Sequence, residues 1–244
     1  MLIVGLTGGI ATGKSTVSNI LKQKHNLTII DADILARKAV EPDTLAFQRI
    51  LETFGEDLAL RDEQGNIVGL DRPALGKRVF NGDEPARKKL NKIVHPAVRW
   101  LMFKCVVWEW LVMGRSVVIL DIPLLFESGL DRFCGVNVVV ATEPELQLQR
   151  LLKRDEHLRE EDAKGRIASQ WDVGKKKKLA DVVIENDSSM EELERRVAEV
   201  VRTKLLRSTL WTWLLRIPPI GLMFAFVIFL KRAIARKSRK QKNS

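Results

Sequence analysis

Gly8-Gly9-Ile10-Ala11-Thr12-Gly13-Lys14-Ser15 fits the spacing G-x-x-x-x-G-K-[ST], and what lies on either side of it decides the fold. Residues 2–6 before it are a short apolar run, and after it Val17, Ile20 and Leu21 recur at helical spacing. Strand, glycine-rich turn and helix is the order in which backbone N–H groups converge on phosphate oxygens, with the positive end of the helix behind them. In such a loop Gly8, Gly9, Ile10, Ala11, Thr12, Gly13, Lys14, Ser15 and Thr16 cradle ATP. Lys14 reaches the β- and γ-phosphates and the Ser15 hydroxyl is a ligand for Mg2+. The competing reading is a plain glycine-rich turn, and the flanking strand and helix weigh against it.

Residues 28–30, 117–120, 136–140 and 182–184 are further short runs rich in Val and Ile. They are continuous rather than alternating, as strands covered on both faces are, and this predicts a parallel sheet. Amphipathic stretches at 45–54, 87–113, 145–154, 160–170 and 190–206 lie between or after them. Strands alternating with helices imply right-handed crossovers and an α/β sandwich, here a P-loop fold. The interval 71–113 is long for one crossover and reads as a helical insertion that helps form an acceptor site. His95-Pro96 marks a break within it.

The composition is that of a globular protein, with 244 residues, 45% hydrophobic and 30% charged, and disordered and fibrous classes are excluded. The net charge of +10 does not indicate nucleic acid, because residues 231–244 carry seven basic side chains and no acid, leaving +3 for the rest. Trp100, Trp108 and Trp110 read as packing residues. Cys105 and Cys134 lack metal-ligand spacing and read as buried thiols in a reducing compartment. The first apolar run is too short for a signal peptide, so the body is expected in the cytosol or a comparable compartment.

Three groups of charged residues fit phosphoryl transfer. Asp121 ends the strand at 117–120 and suits either of two roles, holding Mg2+ through water or facing the acceptor; a turn or capping Asp is the alternative. Asp31-Ala32-Asp33 follows the strand at 28–30, with Asp33 the candidate base for the attacking hydroxyl and Asp31 a supporting or capping group. A helix N-cap at Asp33 is the competing reading. Arg150 and Arg154, four apart on one predicted helix face, suit a lid that closes positive charge onto the moving phosphoryl, whereas Arg159 reads equally well as surface charge. The run 175–178 reads as a solvated lysine loop.

These residues resemble the dephospho-CoA kinase family over residues 2 to about 201. The resemblance rests on Val4-Gly5-Leu6-Thr7-Gly8-Gly9-Ile10 with Gly13-Lys14-Ser15, on Asp31-Ala32-Asp33 with Ala36-Arg37, and on Asn91-Lys92-Ile93-Val94-His95-Pro96. Asp121-Ile122-Pro123-Leu124-Leu125-Phe126-Glu127, Arg166-Ile167 with Gln170, and Ala180-Asp181 with Ile184 and Asn186 complete it. It implies a three-layer α/β/α core, a helical CoA-binding region at about 60–115 and a lid at about 143–172 within a kinase domain 1–206. It also implies ATP and Mg2+ as cofactors, Asp33 as base, acceptor contacts at Arg37, His95, Leu124, Phe126 and Glu127, and transfer of the ATP γ-phosphate to the 3′-hydroxyl of dephospho-CoA. Ala11-Thr12 departs mildly from the family loop. The rivals are another P-loop nucleoside or nucleotide kinase and a membrane-tethered, non-catalytic scaffold. No guanine-specifying Asn-Lys-x-Asp segment is present.

After residue 206 the character changes. Trp211, Trp213, Leu214, Leu215, Ile217 and the run 220–230 form an apolar segment ended by Lys231-Arg232. From Trp211 the segment approaches the ~20 residues of a span, with Arg216 snorkelling and Pro218-Pro219 inside it. Residues 207–232 thus read as a C-terminal membrane helix, or else as an interfacial or packing helix, and 233–244 as a basic tail facing anionic lipid. A cytosol-facing protein tethered to the mitochondrial outer membrane or the endoplasmic reticulum is the expectation, with the oligomeric state left open and a monomer among its options.

Overall fold

The computed structural model describes residues 1–80 and 84–206. The expected membrane segment and basic tail lie outside the described residues. Among the described residues no helix is long and apolar enough to cross a membrane. In chain order the elements are β1 (Leu2–Gly8), α1 (Lys14–Gln23), β2 (Thr28–Asp31), α2 (Ala32–Lys38), α3 (Leu45–Phe54), β3 (Ala59–Arg61), β4 (Ile67–Leu70) and α4 (Arg72–Phe80). Then follow α5 (Glu84–Leu111), β5 (Val117–Asp121), α6 (Leu125–Ser128), β6 (Val136–Ala141), α7 (Pro144–Arg154), α8 (Glu160–Ala168), α9 (Val173–Leu179), β7 (Val182–Glu185) and α10 (Met190–Val200). Contacts divide the chain into two compact units, one of Met1–Ile30 with the chain from Trp108 on, the other Asp31–Val107.

The first unit is built on a five-stranded sheet in the order β2-β5-β1-β6-β7. β1 pairs in parallel with β5 and β6, and β6 with β7. Alternate residues of a strand point to opposite faces, so Val138 and Val140 join one core and Val139 and Ala141 another. On the first face Val4, Leu6, Ile119 and Ile184 pack with Val17, Ile20 and Leu21 of α1 and Leu193 and Val197 of α10. On the second, Phe126 packs with Val139, Ala141, Trp171, Val173 and Leu179. Helical layers on both faces explain why β5 is buried along its whole length. With β1 between β5 and β6, its carboxyl end opens where the chain order of the strands reverses, the position at which α/β sheets take ligands.

The second unit has its own core, in which Phe47, Ile50 and Leu51 of α3 meet Leu58, Leu75, Val79 and Ala86, with Leu90, Ile93, Val94 and Ala97 packed against them. It includes α3, which buries its apolar face in the same core as α4 and α5. It also contains an antiparallel hairpin, β3 with β4, in which most residues are exposed and no strong apolar pattern betrays it. The expected break at His95-Pro96 is absent: α5 runs for 28 residues with Pro96 inside it. Proline forfeits one helical hydrogen bond there, and the core contacts of Ile93, Val94 and Ala97 on either side hold the helix together. Trp100 and Trp108 are 56% and 58% exposed, so neither is a core residue. Cys134 is buried as expected, and Cys105 only partly.

Ile50 has no solvent exposure. Ile50→Ala is expected to lower stability by about 2–5 kcal/mol, with the loss of amide protection confined to the second unit in hydrogen exchange. An equal loss in β5 and β6 would show that the two cores unfold as one.

Candidate active site

The chain passes from β1 to α1 through Gly9–Gly13, and this turn requires two left-handed residues, Ala11 at φ 58° and Gly13 at φ 87°. At Gly13 glycine is obligatory on two counts, since an added Cβ would also lie 2.1 Å from the Asn186 Nδ2. Ala11 accepts the strain at about 1–2 kcal/mol. The buried Thr12 hydroxyl donates to the Gly9 carbonyl at 2.9 Å, closing the loop on itself. Gly13 is the N-cap of α1 and brings no side chain, so the helix presents bare N–H groups, the arrangement that receives an anion.

The underside of the loop is held by side chains from the far half of the sequence. Asn186 Nδ2 donates to the Thr12 carbonyl at 2.9 Å and Gln147 Nε2 to the Ile10 carbonyl at 2.7 Å. Ile10 N donates to Gln170 Oε1 at 3.1 Å, and Lys176 Nζ donates to the Gly8 carbonyl at 3.2 Å. Gln170 and Asn186 enter the sequence reading only through the family resemblance, and Gln147 and Lys176 escape it. The run 175–178 is not a solvated loop but most of α9, started by the Asp172 side chain accepting from Lys175 N. The missed signal is spacing: Val173, Lys176 and Leu179 share one helical face, and Lys176 follows its apolar neighbours into the interior.

Lys14 and Asp121 are brought together by the sheet. Leu6 is in register with Asp121 in the β1–β5 ladder, so the helix after β1 starts beside the carboxyl end of β5. Lys14 Nζ forms an ion pair with Asp121 Oδ1, the two side chains being only 17% and 6% exposed. Ser15 is exposed at the second position of α1.

The residues after Asp121 divide. Leu124 is exposed at the start of α6, open to a ligand. Phe126, expected to touch substrate, is 1% exposed and is a core residue, its ring being the apolar anchor of the second face. Glu127, expected to bind substrate, instead pairs through Oε1 with Lys176 Nζ at 2.9 Å and accepts from Trp171 N at 3.2 Å; its Oε2 is buried without a hydrogen bond.

Arg150 and Arg154 do not act as a pair. Arg150 Nη1 donates to the Asn186 carbonyl at 2.9 Å, beside the loop, whereas Arg154 is exposed and bound to Asp155, which also holds Arg166. The Arg154 guanidinium, with Arg166 beyond it, keeps the Asp155 carboxyl below its ordinary pKa. Arg154 Nε donates to the carboxylate of the next residue, Asp155, at 3.0 Å.

In the second unit the N-cap of α2 is Asp31, whose side chain accepts from Asp33 N at 2.7 Å and from Ile34 N at 3.1 Å. The helix therefore does not use Asp33 as its cap, and Asp33 is exposed in the first turn. Arg37 is exposed at the end of the same helix, its backbone carbonyl accepting from Arg72. His95 lies on the solvent side of α5, and partial desolvation and then nearby Arg99 push its pKa below the ordinary imidazole value.

A cradle of backbone N–H groups, a lysine at its mouth and a carboxylate at the neighbouring strand end are the parts that bind a nucleoside triphosphate. Comparison with known proteins agrees. The family model described as dephospho-CoA kinase matches residues 2–192. The chain is 43% identical over 245 residues to dephospho-CoA kinase CAB5 of Saccharomyces cerevisiae, covering 100% of this chain and 99% of that one. It is 45% identical over 201 residues to the dephospho-CoA kinase of Oceanobacillus iheyensis, covering 82% and 96%. Among solved structures, the dephospho-CoA kinase from Campylobacter jejuni superposes with a TM-score of 0.62 at 32% identity, covering 82% of this chain and 94% of that one. On a phosphate loop whose lysine meets the carboxylate at the end of β5, and on likeness along nearly all of its length, the chain belongs to the dephospho-CoA kinase family.

Proposed function

We propose that this chain transfers the γ-phosphoryl group of ATP to the 3′-hydroxyl of dephospho-CoA, giving CoA and ADP, the last step of coenzyme A biosynthesis. The observation that carries the reading is the Lys14–Asp121 pair at the mouth of the loop, in a member of this family. Residues 8–16 hold the phosphates, and Lys14 exchanges Asp121 for the β- and γ-phosphate oxygens. The donor set suits Mg2+, since the Ser15 hydroxyl and the Asp121 carboxylate are hard oxygens, and this ion needs only one or two protein ligands beside phosphates. Ser15 and Asp121 would hold the ion, whose charge would offset that developing on the phosphoryl oxygens.

Asp33 accepts the proton of the 3′-hydroxyl as its oxygen forms the bond to the γ-phosphorus and the bond to the ADP oxygen breaks; the proton then passes to water. Arg37, Leu124 and His95 contact the acceptor, and the second unit serves as the CoA-binding region. The arm α7–α8 acts as a lid, with Arg150 by the nucleotide, and Arg154 reaches the moving phosphoryl only by leaving Asp155.

The deciding assay is ADP release by the purified chain with ATP and Mg2+, comparing dephospho-CoA with CoA, AMP, uridine and no acceptor. Stimulation by dephospho-CoA alone, with product mass raised by one phosphate, is expected; stimulation by another acceptor would discard the substrate and keep the kinase. Lys14→Ala and Asp33→Asn are each expected to lower kcat/KM by about 10²–10⁴-fold with thermal unfolding unchanged. Turnover at the wild-type rate in Asp33→Asn removes it from the mechanism.

The membrane tether is proposed on separate grounds: the apolar run 220–230, the basic residues after it, and a yeast relative whose likeness covers the whole of this chain. The tether would hold the kinase facing the cytosol at the mitochondrial outer membrane or the endoplasmic reticulum. Deleting 207–244 is expected to move the protein from the alkali-resistant membrane pellet to the supernatant with kcat retained. A truncated protein that stays in the pellet places the attachment elsewhere.

A further inference from the structure

Lys176 is a charge with no exposed side-chain surface, and its ammonium has three acceptors: Glu127 Oε1 at 2.9 Å, the Gly8 carbonyl at 3.2 Å and the Pro123 carbonyl at 3.3 Å. An ammonium has three donors, so each of them has an acceptor. Burying such a charge is costly, and an apolar pair of the same volume would often be at least as stable. Stability alone therefore does not account for it, whereas the places it joins do. Gly8 is the first residue of the phosphate loop; Pro123 lies two residues beyond Asp121; Glu127, through Trp171 N, reaches the chain leaving α8. Beside Trp171, Gln170 holds Ile10 N of the loop, and Thr7 Oγ1 donates to the same Pro123 carbonyl at 2.8 Å.

Resting on the kinase reading of this loop, we propose that Lys176 is a positioning residue for phosphoryl transfer. Its ammonium ties the end of β1 to the segment after β5, and so sets the distance between the loop, with Lys14, and Asp121. The same ammonium, through Glu127, fixes the base of the arm α7–α8. Lys176 touches neither nucleotide nor acceptor and acts only through the groups it holds.

The test separates position from stability in the full-length protein. Lys176→Met leaves the Glu127 carboxylate buried without its partner, and both unfolding temperature and nucleotide affinity are expected to fall. Lys176→Met with Glu127→Gln removes both charges together; its unfolding temperature should return close to wild type while kcat/KM for ATP stays down by about 10²-fold, mostly in KM. Lys176→Arg, which keeps a cation against the same carbonyls, should recover most of that loss. Binding of a fluorescent ATP analogue is followed beside turnover. A wild-type chain that binds ATP but does not phosphorylate dephospho-CoA would refute the substrate and leave this inference to be judged by affinity. Wild-type kinetics in the double variant, or an arginine variant no better than methionine at equal unfolding temperature, overturns the positioning role.

Discussion

A loop that turns its N–H groups toward phosphates must turn its carbonyls the other way, into the protein, where each needs a donor. Asn186, Gln147 and Lys176 supply those donors for Thr12, Ile10 and Gly8. The rest of the first unit is arranged to deliver them. α7 brings Gln147, α9 brings Lys176 and the carboxyl end of β7 brings Asn186, while the end of the arm brings Gln170, which accepts from Ile10 N. The order of the sheet, with β1 between β5 and β6, gathers these elements around one turn.

Two ion pairs stand around this loop. Lys14–Asp121 lies at its mouth with a little exposure on each side, as the proposed exchange of carboxylate for phosphate would need. Lys176–Glu127 lies beneath, with the lysine fully buried. In a low-dielectric setting such pairs are geometrically demanding, and removing one partner costs more than the pair contributes. The two together make the spacing of the β1 and β5 ends a matter of fixed geometry rather than of loose packing. The exposed arginines of the arm contrast with them, being held on Asp155 by contacts that water weakens.

The second unit is a separate solution to burial. α3, α4 and α5 close a core of their own, and that core allows a helix of 28 residues to carry a proline. Asp31 caps α2, so Asp33 is presented from its first turn without serving the helix. Arg37 and His95, proposed to meet the acceptor, are exposed on α2 and α5, and α5 packs Ile93, Val94 and Ala97 against this core.

Periodicity and motif are local properties, so they were legible in the residues alone: five β-rich runs, the turn at residues 8–13, and Asp121 at a strand end all follow from spacing. The resemblance added the family, the acceptor and the candidate base. What the sequence did not disclose depends on partners far apart in the chain. Lys176 and Gly8 are separated by 168 positions, and Gln147 and Ile10 by 137. Whether a lysine in a basic run meets water or a buried carbonyl, whether Glu127 faces substrate or Lys176, and whether Arg154 turns to the loop or to Asp155 are settled by which helix the crossovers set against which strand. Composition determined that these side chains carry charge and hydrogen-bonding groups; only the packing of the sheet and its helices decided what each of them holds.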